Sequence, residues 1–365
     1  MKILFTSTIP YLPQIYGGLN TNTHELALEL MKRGHQPAVL TRLSYGNAFG
    51  ARAALAMRCR GRSVSCDTGF GYPVLRARQP WSVVDEIPRP DVVVIQDGQM
   101  LRFAAEFGRL EIPVVSYFHG LDFEDWAIDG RPTTTADLPP IQYFANSEFT
   151  ARRFRDRYGL SAKVVPPVFR AERYRADRIG RNVTFINPVV EKGVDIALEL
   201  AARCPEMRFV FLKAWPLSLR DQLRLQARLR RLPNVTLQER STDMRSIYQE
   251  CRVLLVPSKW ERETWGRVAS EAQFSGIPVI GSDIGGLPEA VGPGGIIIGA
   301  NESMETWVGA VKRLWHDQDW YREKSQAAVV HAQRPQLNIN AQVAALESGL
   351  LRASDANSKG HVIAH

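Results

Sequence analysis

A chain of 365 residues is longer than one hydrophobic core usually supports, and at ~150 residues per domain it is expected to form two. With 45% hydrophobic and 23% charged residues it belongs with globular rather than disordered chains, and no stretch approaches the ~20 uninterrupted apolar residues that cross a bilayer. The formal charge of +8 is spread over both halves without a long basic run, which argues against a nucleic-acid partner.

From the start, short apolar or β-branched runs alternate with segments of helical periodicity, the pattern of a parallel sheet covered by helices. Lys2 to Thr6 reads as a buried strand that follows Met1 directly, without the pattern of a signal peptide. A loop with Pro10, Pro13, Gly17 and Gly18 comes next, then a helix face of Leu19, Thr23, Leu26 and Leu30 that Gly34 should stop. Further strands are expected at 37–41, 92–96, 113–118, 143–146 and 163–165, with an irregular stretch at 45–83. Pro166, Pro167 and the polar run 170–181 then break the rhythm and mark a domain boundary near residue 168.

The second half repeats the scheme, with strands expected at 183–186, 208–212, 235–238, 253–256, 278–281 and 295–298. The resulting division is 1–168 and 169–335 for the two domains, 336–352 for a C-terminal helix packing back on the first, and 353–365 for a disordered polar tail. Cys59, Cys66, Cys204 and Cys251 form neither a CxxC pair nor a metal spacing, so no metal site is expected and a reducing cytoplasm is the expected location. The clusters Arg58-Cys59-Arg60-Gly61-Arg62 and Arg152-Arg153-Phe154-Arg155-Asp156-Arg157 read most simply as solvated surface. The other reading is peripheral contact with anionic lipid or phosphate at the inner membrane face.

In open parallel sheets, ligands sit beyond the carboxyl ends of the strands, near helix N-termini. Gly17 and Gly18, His119, the segment Asn187 to Gly193, Lys213, and the segment Glu261 to Glu271 all fall there. A helix opening at 264–267 would turn its amides toward a diphosphate, Glu271 would accept hydrogen bonds from vicinal hydroxyls such as those of a ribose, and Glu263 would lie nearer a sugar. The plainer reading makes Glu271 a salt-bridged residue on a half-exposed helix face and Glu263 a first-turn carboxylate favoured by the dipole. For His119 the plainer reading is a hydrogen-bonded strand-end histidine, and for the glycine pair a simple turn.

Glu263-Thr264-Trp265-Gly266-Arg267-Val268-Ala269-Ser270-Glu271, followed by Ser275-Gly276-Ile277-Pro278 and Gly285-Gly286-Leu287-Pro288-Glu289, resembles the E-x7-E region of retaining nucleotide-sugar glycosyltransferases of family 4. Tyr16-Gly17-Gly18, Tyr117-Phe118-His119-Gly120, Ala145-Asn146-Ser147 and Glu191-Lys192-Gly193 are similar to other motifs of that family in the same order, so the resemblance covers most of the chain. It implies a GT-B fold, an α/β pair of Rossmann-like doubly wound parallel-sheet domains facing an interdomain cleft. It also implies transfer of a sugar with retention, metal-independent and without a cofactor, from a nucleoside diphosphate to a carbohydrate, lipid-linked or small-molecule acceptor. Glu271 would hold the ribose and Glu263 a sugar hydroxyl, with Thr264, Trp265, Gly266 and Arg267 at the same donor site. Lys192 would neutralise the diphosphate, His119 would face the donor sugar, and Gly17 and Gly18 would let backbone approach phosphate or acceptor. His119, Lys192 and Glu263 are the expected catalytic residues.

The chain departs from the family where a Gly-Arg pair usually precedes the lysine turn, because Ile186-Asn187-Pro188 stands there. The next strand ends in Leu212-Lys213-Ala214-Trp215 rather than a glycine loop, and Lys213 is expected to supply the missing positive charge at the donor site beside Asn187. Among rivals, a nicotinamide-dependent dehydrogenase lacks a G-x-G-x-x-G after the first strand of either half, and no motif points to a GT-B epimerase or phosphorylase. A catalytically impaired nucleotide-sugar-binding or partner subunit is the alternative that Asn187 raises.

Overall fold

The computed structural model describes residues 1–97, 99–121, 126–128, 131–138, 141–241 and 243–362, with backbone alone at 126–128, 131–133 and 356–362. It divides into two compact units, Met1–Val168 with Ile339–His365, and Phe169–Asn338.

In the first unit the strands are β1 (Lys2–Ser7), β2 (Gln36–Arg42), β3 (Val64–Asp67), β4 (Val74–Ala77), β5 (Val92–Ile95), β6 (Val114–Phe118), β7 (Trp126–Ile128), β8 (Arg131–Thr133), β9 (Gln142–Ala145) and β10 (Ala162–Val164). Eight of them form one sheet in the order β10-β9-β6-β5-β1-β2-β4-β3, parallel except for the edge pair β3–β4, while β7 and β8 form a separate hairpin. The helices are α1 (Gly18–Lys32), α2 (Ala48–Cys59), α3 (Met100–Arg109) and α4 (Glu148–Tyr158). Strand side chains alternate between two cores, Ile3, Phe5, Val92 and Val94 on one face and Leu4, Val93 and Ile95 on the other. Both faces are covered, so these strands are continuous apolar runs rather than alternating ones.

The stretch 45–83, irregular in sequence, holds α2, β3 and β4. α2 escapes a periodicity reading because Gly50 is its one fully buried residue and no apolar stripe separates its faces.

The second unit holds β11 (Asn182–Ile186), β12 (Arg208–Lys213), β13 (Val235–Glu239), β14 (Cys251–Val256), β15 (Val279–Ser282) and β16 (Gly295–Ile298), all parallel in the order β13-β12-β11-β14-β15-β16. Its helices are α5 (Val194–Arg203), α6 (Leu219–Leu229), α7 (Met244–Glu250), α8 (Arg267–Gln273), α9 (Leu287–Val291), α10 (Met304–His316) and α11 (Gln318–Ala332).

The chain then returns to the first unit as α12 (Ile339–Val362). Val343, Leu346 and Leu350 enter the first unit's core, Gln342 donates to the carbonyls of Pro166 (2.9 Å) and Pro167 (3.1 Å), and Glu347 accepts from Arg33 and His35, each at 2.8 Å. The crossover lies three residues beyond the 335/336 break read from the sequence. The helix also runs on through 353–362, where the sequence reading has a disordered tail, as the continuation of a start that is anchored in the core. Residues 363–365 lie outside the described residues. Among the described residues, no helix is long and apolar enough to cross a membrane.

Two measurements check this packing. A Cβ on Gly349 of α12 would lie 2.3 Å from Cζ of Phe144, which is 1% exposed, so Gly349→Val should lower stability by roughly 1–3 kcal/mol in urea unfolding. An unchanged midpoint would mean that α12 does not dock there. In the second unit, burial first and then Arg334 push His331 down to about 4 from an ordinary value of 6.5. Its contribution to stability is therefore full above pH 6.5 and lost as pH falls toward 4, because the unfolded chain takes up a proton that the folded one refuses. Thermal unfolding across that window should show a loss that His331→Gln reduces.

Candidate active site

In the second unit the chain leaves β11 toward β12 and leaves β14 toward β15, so the loops after these adjacent strands diverge. Divergence of this kind opens space beyond the strand ends, the usual place for a ligand in an open α/β sheet. The two loops are tied at their base: Lys259 donates its backbone N–H to the Glu191 carbonyl at 2.9 Å, Ser258 Oγ donates to the same oxygen at 3.3 Å, and Lys259 pairs with Asp195. Gly193 makes the approach possible. Its φ is +79°, and a Cβ there would lie 1.9 Å from the Pro257 carbonyl oxygen.

The closeness brings Lys192 to Glu263. The Lys192 ammonium pairs with Glu263 Oε2, the side chains are 13% and 9% exposed, and Ser258 Oγ, whose one proton is shared between this oxygen and the Glu191 carbonyl, lies 3.2 Å from the same carboxylate oxygen. The ammonium also lies 4.6 Å from the ring centre of Trp260 and 5.3 Å from that of Trp215, and the two indoles meet edge-to-face at 6.2 Å. Two aromatic faces and a carboxylate thus hold one cation in a largely desolvated position.

Behind Glu263 the loop is fixed by contact with the turn 285–286. The Gly286 N–H donates to the Glu263 carbonyl at 2.8 Å, and a Cβ on Gly285 or Gly286 would meet the Glu263 or Thr264 carbonyl oxygen at 2.0 and 2.1 Å. Thr264 is buried, and Trp265, also buried, donates from Nε1 to Ser270 Oγ at 3.1 Å. Gly266, at φ +84°, precedes α8, and no side chain caps the helix there. Within α8, Glu271 accepts from Arg267 Nε at 3.3 Å and from Tyr248 OH at 3.0 Å, while Arg267 also donates to Tyr174 OH at 3.3 Å and lies over Phe169 at 4.3 Å. Glu271 does carry a salt bridge, as the plainer sequence reading has it, but on a buried face rather than a half-exposed one. Burial first, then Glu271, raises the Tyr248 phenol well above its ordinary value and Tyr174 to about 12, so both remain protonated donors at neutral pH.

Asn187 has a structural task in this arrangement. It adopts a left-handed backbone at φ +67°, and its Oδ1 accepts the N–H groups of Ala214 (3.1 Å) and Trp215 (2.8 Å), which fixes the loop after β12 and so the Trp215 indole. Lys213, at the end of β12, pairs with Glu239 at 2.6 Å across the register from β13.

In the first unit, Gly17 precedes α1 with extended backbone, and a Cβ there would meet no atom within 4 Å, so nothing within the fold demands glycine at that place. His119 follows β6, with Nε2 at 3.4 Å from Gln96 Nε2 and its ring 4.1 Å from Tyr117. Asp97, after β5, accepts from Ser7 Oγ (2.8 Å) and from the Thr8 backbone and hydroxyl, which orders the loop leading to Gly17 and Gly18. The structure brings Lys192, Glu263, Asn187 and the α8 residues together within one unit. Trp215, Trp260, Ser258, Tyr248 and Tyr174 join them without having been singled out by motif. Trp215, Ser258 and Trp260, each just beyond a strand end, carried a sequence signal in their position alone.

Comparison with known proteins agrees with this geometry. The first unit matches the model of Glycosyltransferase Family 4 over residues 16–173, and the second matches that of Glycosyl transferases group 1 over residues 183–332. The D-inositol 3-phosphate glycosyltransferase of Mycobacterium leprae is 34% identical over 169 residues, covering 42% of this chain and 38% of that protein. Its counterpart from Corynebacterium aurimucosum is 40% identical over 91 residues, 24% of this chain and 21% of that one. The matched stretches thus span about a fifth to two fifths of these relatives' length. Among solved structures, a glycosyltransferase from Rickettsia africae superposes with TM-score 0.74 at 13% identity, covering 96% of this chain and 98% of the other. Anabaena HepE in complex with UDP-glucose gives 0.70 at 18%, covering 96% and 100%. Two parallel-sheet domains with these neighbours define a GT-B fold. The chain belongs to the glycosyltransferases of family 4 type.

The role of Asn187 is open to a graded test. Asn187→Gly keeps the backbone conformation and loses two hydrogen bonds, while Asn187→Ala loses both, so urea unfolding should show a cost of about 1–2 kcal/mol for the first and about 1–2 kcal/mol more for the second. Equal, small effects would show that the left-handed turn and its two acceptor contacts do not matter.

Proposed function

We propose that this protein transfers a sugar from a nucleoside diphosphate donor to an acceptor hydroxyl with retention of configuration. The observation that carries this reading is the meeting of Lys192 and Glu263 beyond the ends of β11 and β14, with Glu271 held on α8 behind them. A diphosphate would compete with Glu263 for the Lys192 ammonium, and the exchange would release the Glu263 carboxylate to accept a hydrogen bond from a sugar hydroxyl. The donor's ribose would take up acceptor capacity on Glu271. Breaking the bond from the anomeric carbon to phosphate leaves charge on the diphosphate, and a fixed cation in a desolvated place opposes it without a metal. The acceptor oxygen would then bond to the anomeric carbon from the face that the diphosphate leaves, passing its proton to the departing phosphate oxygen. HepE in complex with UDP-glucose, within the same fold, supports a nucleotide-sugar donor.

The test is a panel of nucleotide sugars, read by thermal stabilisation and by release of nucleoside diphosphate without added metal, with the anomer of the product followed by NMR. One donor should stabilise the protein. Its Kd should rise roughly 10–100-fold in Glu271→Gln, as expected for lost hydrogen bonds to a charged group. The Lys213→Ala variant should bind the donor more weakly if Lys213 adds charge at this site, and an unchanged Kd leaves it to Glu239 alone. Binding without release of diphosphate would favour a nucleotide-sugar-binding subunit, and failure of every donor with the fold intact would sink the reading.

A further inference from the structure

Three adjacent strands of the second unit, β12, β11 and β14, deliver Trp215, Lys192 and Trp260 just beyond their ends. Both tryptophans are fixed through their backbone. Trp215 donates its N–H to Asn187 Oδ1 at 2.8 Å, while Trp260 donates its own to Ser258 Oγ at 3.3 Å and accepts at its carbonyl from the Glu263 N–H at 2.9 Å. The ring planes cross at 86° with centres 6.2 Å apart, and the Lys192 ammonium lies 4.6 Å from one centre and 5.3 Å from the other. Rings that only fill the core of this sheet are fully covered, Phe185 at 1% exposure and Phe211 at 0%, whereas the two indoles stay half-buried. They form a corner of two electron-rich faces that the ammonium now occupies.

We propose, resting on the donor reading above, that Trp215 and Trp260 are specificity-determining residues that stack against the C–H face of the donor's sugar, a hexopyranose. An indole face attracts the weakly positive C–H groups of a sugar ring by the same quadrupole that attracts a cation. As a diphosphate draws the ammonium toward itself, the two faces lose their partner, and the ring attached to that diphosphate supplies C–H groups in its place. The placement selects the sugar rather than the nucleoside. Trp260 shares one hydrogen-bonded turn with Glu263, the carboxylate that would meet a sugar hydroxyl, whereas Glu271, which would meet the ribose, is held on α8 by Tyr248 and Arg267.

Calorimetric titration of uridine, guanosine and adenosine diphosphates, and of their hexose and N-acetylhexosamine conjugates, tests it in wild type, Trp215→Leu and Trp260→Leu. Leucine keeps apolar bulk and removes the flat face. The quantity read is the Kd of a conjugate divided by that of its own diphosphate, which cancels any effect of the substitution on Lys192 itself. For the conjugate that the wild type binds, each substitution should raise this ratio about 10-fold, and Trp260→Phe, which keeps a flat face, should restore most of the loss. Diphosphate binding by a variant shows at the same time that its site is folded. A ratio left unchanged, whether both Kd values move together or neither moves, would overturn the proposal and leave the indoles as supports for Lys192. Weakened binding of the diphosphate with an unaltered contribution from the sugar would assign them to the nucleoside, and a wild type that binds a diphosphate but none of its conjugates would contradict sugar stacking outright. Failure of the wild type to bind any nucleotide would sink the donor reading and the stacking with it, while the other outcomes leave the donor reading intact.

Discussion

The second unit depends on one ion pair formed by residues 71 positions apart, the Lys192 ammonium and the Glu263 carboxylate. Both are largely withdrawn from water, and a charge so placed is tolerated only when partnered, since removal of one member typically costs about 3–5 kcal/mol. That requirement reaches into the backbone around it. Gly193 must let the β11 turn touch Pro257, and Gly285 and Gly286 must let the next turn touch Glu263 and Thr264, because a Cβ at any of the three would collide with a carbonyl oxygen. The pair thus sits where three loops approach one another closely.

The same pair is what makes the site chemically useful. A cation already desolvated and held against two indole faces has lost most of its freedom before a phosphate arrives, which lowers the cost of ordering it later. Tyr174, Tyr248 and Arg267 do the equivalent for Glu271, presenting it from a buried and fully hydrogen-bonded base. The first unit meets a similar need by different means: Asp97 gathers the loop after β1, while Gly17 is left with open space at its α-carbon.

The fold was legible because both sheets are buried on two faces, so strands such as Val92–Ile95 and Val253–Val256 stand out as apolar runs between turn residues. Where burial is slight, as in α2, the pattern vanished and the stretch read as irregular. The charged residues at strand ends could be found from spacing and motif, since strand, turn and helix fix where Lys192, Glu263 and Glu271 must lie along the chain. Their partners could not. Tyr248 reaches Glu271 from α7, and Asn187 reaches Trp215 across two strand ends, contacts that depend on strand order rather than on sequence distance. Asn187 is the clearest case: as a departure from a family pattern it looks like a lost cation, while in place it is the residue whose tolerance of a left-handed backbone lets one oxygen hold the tryptophan loop.

The central claim is that Glu263 and a donor diphosphate compete for the same ammonium. Calorimetric titration of uridine and guanosine diphosphates into the wild-type protein and Glu263→Gln addresses it most directly. If the claim holds, at least one diphosphate binds, and the substitution tightens that binding several-fold by releasing Lys192. Affinity that is unchanged or weaker in Glu263→Gln would contradict it.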